Sequence, residues 1–282
     1  MTIPLFYSDR YIADIGSHIM PIHKFRLVRD AILASQLPTS LHQPTPISDE
    51  ELLRVHTKEY VEAIKTGAPK HLAESQKFPW SPELAEAVRH TNGGCLASLD
   101  AALQHQISGN LASGFHHSHA DHGEGFCTFN GLILALENAF LQRQITRGLV
   151  IDLDLHYGNG TASLVADRPY CANLSIYGSW YKQNVAHQDV ETERAPDTHN
   201  AWSVPVPNGA SGAHYLALIK EHTARALDLY QPEVILYQAG ADPYREDPYS
   251  PLDVGLDALY ERDHLIFSMA KERRIPISYV LV

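Results

Sequence analysis

The chain has 282 residues, with 22 Lys and Arg against 33 Asp and Glu, and a formal net charge of −11 with histidine neutral. Hydrophobic content of 44% and charged content of 20% exclude a disordered chain, and the acidic balance excludes a general nucleic-acid binder, which needs a basic face. No apolar run approaches the ~18 residues of a membrane span, the N-terminal MTIPLFYSDRY is not a secretory signal, and Cys95, Cys127 and Cys171 are too scattered for a disulfide framework; a cytoplasmic protein with neither a membrane nor a direct nucleic-acid partner is expected.

In chain order, Pro4–Tyr7 predicts a short strand and the apolar spacing of Ile22–Ser35 a helix. Pro-rich Leu37–Pro46 reads as a loop. Asp49–His56 and Lys58–Lys65 predict two short helices, the first opened by a Ser48/Glu51 capping box. Gly67–Pro82 reads as a long surface segment. Pro82–Gln106 predicts a long helix with Ser81 as its N-cap. A strand at Leu111–Ser113, a helix at Leu132–Arg143, and strands at Gly148–Asp154 and Tyr170–Ile176 follow. Then come a helix at Ser211–Leu229, a strand at Glu233–Gln238, a helix at Leu256–Arg273 and a last strand at Pro276–Leu281. Alternating strands and helices predict a parallel sheet covered on both faces, whose ligands sit beyond the carboxyl ends of the strands.

Polar clusters follow three of those strands. One is Ser113-Gly-Phe-His116-His117-Ser-His119-Ala-Asp121-His122-Gly123-Glu124-Gly125-Phe126, where four of the chain's 17 histidines fall within seven positions. In the second, Asp152-Leu-Asp154-Leu-His156-Tyr-Gly158-Asn159-Gly160, strand alternation turns 152, 154 and 156 to one face and the leucines into packing. Two buried carboxylates and an imidazole are costly unless a cation joins them. Asp242, in the third cluster Ala239-Gly-Ala-Asp242-Pro, completes an Asp–His–Asp donor set suited to zinc or ferrous iron. His116 and His117, pointing in different directions, can flank one substrate and move protons. Asp152 and Asn159 are the groups available to fix their tautomers. His119 and His122 read as an ordinary core or surface pair, and Asp121 and Glu124 as solvated loop charges. Phe126 is either core or the wall of a narrow channel.

HHSHADHGEGFCTFN, VIDLDLHYGNGT and YQAGADPYREDP, in this order, resemble the histone deacetylase family, which includes acetylpolyamine amidohydrolases and acetoin-utilisation proteins. VHTKEYV at Val55–Val61, Asn92-Gly93-Gly94 and the early His18–Arg26 segment support the resemblance, the last looking most like the small class IV type and its bacterial relatives. The resemblance covers nearly the whole chain and implies one catalytic domain over 1–282 with the arginase–deacetylase α/β fold, a largely parallel sheet of about eight strands. It implies zinc, with iron possible, on Asp154, His156 and Asp242, and His116 and His117 as tandem proton carriers backed by Asp152 and Asn159. Gly125 and Phe126 would line an acyl-lysine tunnel, with Tyr249, Trp180 and Tyr181 as further wall residues. A structural potassium ion near Asp152, Asp154, His156 and Ser175 is also implied. Lys24 is either an anion-attracting group near a product channel or a surface lysine.

Arginases, the other branch of the fold, need a carboxylate two residues after the histidine, where this chain has Gly158. The family's oxyanion tyrosine follows the final strand, and the sequence stops at Val282. Loss of one such donor costs about 10²–10³-fold in rate, so the chain is expected to lack its C-terminal end. The implied function is hydrolysis of an acyl group, acetyl or longer, from lysine side chains. Hydrolysis of acetylpolyamines or other small acylated amines, and non-catalytic binding of acylated ligands, are the alternatives.

Overall fold

The computed structural model describes residues 2–178 and 199–282. Its elements in chain order are β1 (Ile3–Phe6), α1 (Lys24–Ala34), β2 (Thr39–His42), α2 (Asp49–Leu52), α3 (Lys58–Thr66), α4 (Lys70–Ala73) and α5 (Pro82–His105). Then come β3 (Ile107–Asn110), α6 (Gly131–Leu141), β4 (Gly148–Asp152), α7 (Asn159–Val165), β5 (Cys171–Gly178) and β6 (Ala201–Val206). The last four are α8 (Gly212–Tyr230), β7 (Val234–Ala239), α9 (Leu256–Arg273) and β8 (Ile277–Leu281).

The eight strands form one sheet in the order β2-β1-β3-β8-β7-β4-β5-β6. Every pairing is parallel. Parallel strands need crossovers that cover both faces, and β4 accordingly reads as an unbroken apolar run, Gly-Leu-Val-Ile, buried throughout. One face packs Val150, Leu236 and Val280 against Leu96, Leu99, Leu132 and Leu136 of α5 and α6. The other packs Leu149, Ile151, Ile235 and Tyr237 against Tyr215, Ile219, Leu259 and Ile266 of α8 and α9.

The helix starts follow local chemistry. Ser48 and Glu51 close a capping box on α2, and Ser81 accepts from Leu84 N ahead of Pro82. The strands depart from expectation at the edges and the ends. Leu37–Pro46 is not all loop, because Thr39–His42 pairs with β1. As an edge strand it tolerates flanking prolines and carries no apolar signal. Ala201–Val206, with Pro205, is the other edge and escapes periodicity for the same reason. The third strand is Ile107–Asn110 rather than Leu111–Ser113. Its polar Ser-Gly-Asn run crosses mid-sheet, where Gly109 lies under the Tyr279 ring; a Cβ there would be 2.4 Å from Tyr279 Cζ. The fourth strand ends at Asp152, two residues early, as the chain turns into the site.

The strand order places the site. From β4 the chain runs outward to β5 and β6, then returns to β7 on the other side of β4. The loops after β4 and β7 therefore diverge and open a crevice at the carboxyl edge of the sheet.

Candidate active site and metal centre

Beyond Asp152 the alternation persists without the ladder. Leu153 and Leu155 sink into the core on the α8 and α9 side, which aims Asp154 and His156 the other way. Asp242 arrives from β7, and its Oδ1 accepts a hydrogen bond from Leu155 N at 2.9 Å, tying the two loops together. Ligand atoms of Asp154, His156 and Asp242 all lie within 4.8 Å of one another. His156 Nδ1 sits 2.9 Å from Asp154 Oδ1 and 3.0 Å from Asp242 Oδ2. Burial alone would lower the His156 pKa, but the two carboxylates hold it well above the ordinary value. Burial would raise Asp154, but His116 and His156 pull it down instead. Burial and the neighbouring Asp154 charge raise Asp242. Two carboxylates converging on one imidazole, in a largely buried site, suit a catalytic zinc or ferrous ion. The residues fit such a metal.

His116 and His117 lie in a tight turn after β3. Phe115 takes φ +61°, and Ser118 N donates to Phe115 O at 3.2 Å. The turn corrects the expectation of diverging rings: they sit side by side, centroids 4.0 Å apart. Each has its own partner. His116 Nδ1 is 2.7 Å from Asp152 Oδ2, and His117 Nδ1 is 2.7 Å from Asn159 Oδ1. The His117 ring stands 5.9 Å from that of His156. Burial depresses the His116 pKa, but Asp152 and Asp154 outweigh it, so the pKa is raised.

Asn159 reaches further. Its Nδ2 donates to Glu124 Oε2 at 2.8 Å and meets His119 Nε2 at 3.3 Å. Those two acceptors settle which way the amide faces. The NH₂ points to Glu124 and His119, so Oδ1 accepts from His117 Nδ1–H and leaves the lone pair of His117 on Nε2. Glu124 is therefore not a solvated loop charge: its side chain is 20% exposed and anchors the Asn159 amide. Nothing local in the sequence pairs Glu124 with Asn159, which lies 35 positions away. Asp121, 70% exposed, is a solvated loop charge.

Gly158 leaves no room for the arginase carboxylate. A Cβ there would lie 2.4 Å from Asp152 Oδ2 and 3.3 Å from His116 Nδ1. Gly125 and Phe126 occupy a turn bridged by Glu124 and Cys127, with φ of +51° and +66°. A left-handed phenylalanine costs about 1–2 kcal/mol. A Cβ on Gly125 would lie 2.3 Å from His117 Cδ2, so the turn presses on that ring. Phe126 stacks on Phe78 at 5.5 Å and meets His18 edge-on at 4.8 Å. His18 and Phe78 are thus site-side aromatics that periodicity did not single out. Tyr249 is 44% exposed, with its backbone N–H on Asp247 Oδ1. Trp180 and Tyr181 lie outside the described residues. Ser175 is buried opposite Asp152 in the β4–β5 register, and its Oγ accepts from Gly158 N at 3.4 Å. Lys24 is half-buried, its Nζ 3.6 Å from Met20 Sδ; burial lowers its pKa, against the opposing pull of Asp154 and Asp242. Tyr279 lies within β8, 5.7 Å from the Phe267 ring.

A family model described as histone deacetylase domain matches residues 18–282. Histone deacetylase 2 of Arabidopsis thaliana is 29% identical over 295 residues, covering 98% of this chain and 72% of that protein. The crystal structure of the HDA15 HD domain superposes with a TM-score of 0.81 at 17% identity, covering 100% of this chain and 84% of that one. The crystal structure of acetylpolyamine aminohydrolase from Burkholderia pseudomallei gives 0.77 at 21% identity, covering 99% and 93%. The two structures share the arginase–deacetylase fold with this chain.

Proposed function

The chain belongs to the histone deacetylase domain family, and on that premise we propose that it is a metal-dependent hydrolase releasing acetyl or longer acyl groups from lysine side-chain amides. The observation that carries the reading is the convergence of Asp154, His156 and Asp242 beside two histidines with separate partners. Asp154, His156 and Asp242 would hold zinc, or iron in its place, which when bound supplies Lewis acidity toward an amide carbonyl and toward water.

The remaining work falls to the chain's own groups. His117, with its lone pair on Nε2 and a neutral amide behind Nδ1, takes the proton from the attacking water. His116 is backed by the Asp152 carboxylate, which favours its imidazolium; it stabilises developing negative charge and returns a proton to the leaving amine. Asp152 and Asn159 hold the two rings in place and in the right tautomer. Gly125 brings its turn against His117 without a side chain, and Phe126 offers an apolar face to the methylene stem of the acylated lysine. Asp152, Asp154, His156 and Ser175 would hold a structural potassium ion under the same loop. A reducing, cytoplasmic setting goes with this reading, since Cys95, Cys127 and Cys171 are buried and free.

The test is hydrolysis of an acetyl-lysine peptide, with an N-acetylpolyamine run beside it, by wild type and Asp154→Ala. Peptide turnover and a metal ion on Asp154, His156 and Asp242 are expected for wild type, with both lost in the variant. Undiminished turnover by Asp154→Ala would refute the metal-dependent mechanism. Turnover of the acetylpolyamine alone would move the substrate to small acylated amines.

A further inference from the structure

In the loop after β3 that carries His116 and His117, a second group of candidate ligands gathers apart from Asp154, His156 and Asp242. Donor atoms of His119, His122 and Glu124 lie within 4.8 Å of one another. The two imidazoles are stacked, centroids 4.5 Å apart with 10° between planes, and His119 Nε2 is 3.4 Å from Glu124 Oε2.

The hydrogen bonds behind these rings fix their tautomers; because the rings are stacked, the His122 ring, 43% exposed, must turn for both lone pairs to meet one ion. Ser163 Oγ gives its one hydrogen to Gly160 O at 2.7 Å, so at 2.9 Å from His119 Nδ1 it accepts. His119 therefore carries its proton on Nδ1 and its lone pair on Nε2. The Asn159 NH₂ facing Nε2 at 3.3 Å agrees. Asp121 Oδ1 accepts from His122 Nδ1 at 2.7 Å, which leaves the His122 lone pair on Nε2 as well. An imidazole whose rear N–H is held by a carboxylate or hydroxyl is the usual support of a metal-ligating histidine. The site is reachable: the His119, Glu124 and His122 side chains are 20%, 20% and 43% exposed.

We propose that His119, His122 and Glu124 form a second divalent-cation site, of the zinc, cobalt or nickel class that two imidazoles and a carboxylate select. Its occupancy is felt at the catalytic histidine. Glu124 Oε2 and His119 Nε2 are the two acceptors of the Asn159 NH₂; a cation there takes the one lone pair of His119 and shifts the Glu124 carboxylate toward itself. Asn159, less firmly held on that side, weakens its hold on His117. The cation site stands on its own residues; this coupling rests on the proposed role of His117.

The experiment counts zinc per chain by emission spectroscopy after equilibrium dialysis of the full chain against excess Zn²⁺. Two ions are expected for wild type, one for His122→Ala, one for Asp154→Ala and none for the double variant. Glu124→Gln, which keeps an acceptor for Asn159, is also expected to hold one. Equal counts in wild type, His122→Ala and Glu124→Gln would overturn the site. Excess Zn²⁺ is expected to slow hydrolysis of the acetyl-lysine peptide several-fold in wild type and not in His122→Ala; equal inhibition of both would overturn the coupling. If no chain hydrolyses the peptide yet the counts remain two and one, the hydrolase reading fails and the cation site holds.

Discussion

At the scale of single residues, Asn159 shows how chemistry and spacing share the information. The D-x-D-x-H run and the later Asp242 could be read as a donor set because alternation puts the three polar groups of the run on one face and their burial is costly without a cation. In the fold these residues stand together. Glu124 could not be read that way, because its partner Asn159 lies 35 positions away and one carboxylate looks like another in a loop. The contact makes a prediction. Asn159→Asp sets a carboxylate beside Glu124 Oε2, where an amide nitrogen now stands at 2.8 Å. Two like charges at that distance repel, and His117 is left with a displaced partner. Loss of such a supporting contact costs about 10–100-fold in activity. Adding Glu124→Gln to Asn159→Asp removes the repulsion, and most of the lost kcat/KM is expected to return. A double variant no better than the single would show that Glu124 does not hold Asn159 in place.

At the scale of elements, interior strands and capped helices were legible and edges were not. α2 and α5 announce themselves through Ser48, Glu51, Ser81 and Pro82, whose side-chain bonds the structure contains. β2 and β6 do not, because an edge strand needs only one ladder and no continuous apolar face. The link between α2 and α3 also carries a titratable group whose setting is tertiary. His56 is buried, its Nδ1 2.9 Å from His119 O and its Nε2 accepting from Asn130 N at 3.1 Å. Burial pushes its pKa from 6.5 down to about 4. The folded chain therefore binds this proton less readily than the unfolded one. Stability is unaffected above the unfolded pKa and falls as pH drops from 6.5 toward 4. At pH 5 that loss is about 2 kcal/mol, from 1.36 kcal/mol per pH unit. Urea unfolding at pH 7 and pH 5 measures it. His56→Gln is expected to be less stable at pH 7, for want of one ring contact, but to lose less on going to pH 5. Identical pH slopes for the two chains would place the acid sensitivity elsewhere.

At the scale of the whole molecule, the proposed metal centre would join parts of the chain that the sheet holds in register but does not fasten at the loops. Asp154 and His156 follow β4, Asp242 follows β7, and the loops diverge because the chain leaves β4 in one direction and returns from the other. The net charge of −11 adds general repulsion, and two carboxylates stand close together at the centre. A divalent cation bound only by the folded chain offsets that repulsion. At a free metal concentration a hundred times its dissociation constant it adds about 2.7 kcal/mol. In a domain of this size that is about 5 °C in Tm. The measurement belongs in the His122→Ala background, so that only the Asp154, His156 and Asp242 centre is read. Calorimetry with and without a chelator is expected to differ by that interval, and adding Asp154→Ala should abolish the difference. Coincident melting curves with and without chelator would mean that the loops after β4 and β7 are held by Asp242 Oδ1 on Leu155 N and its neighbours alone, with the cation contributing nothing to the fold.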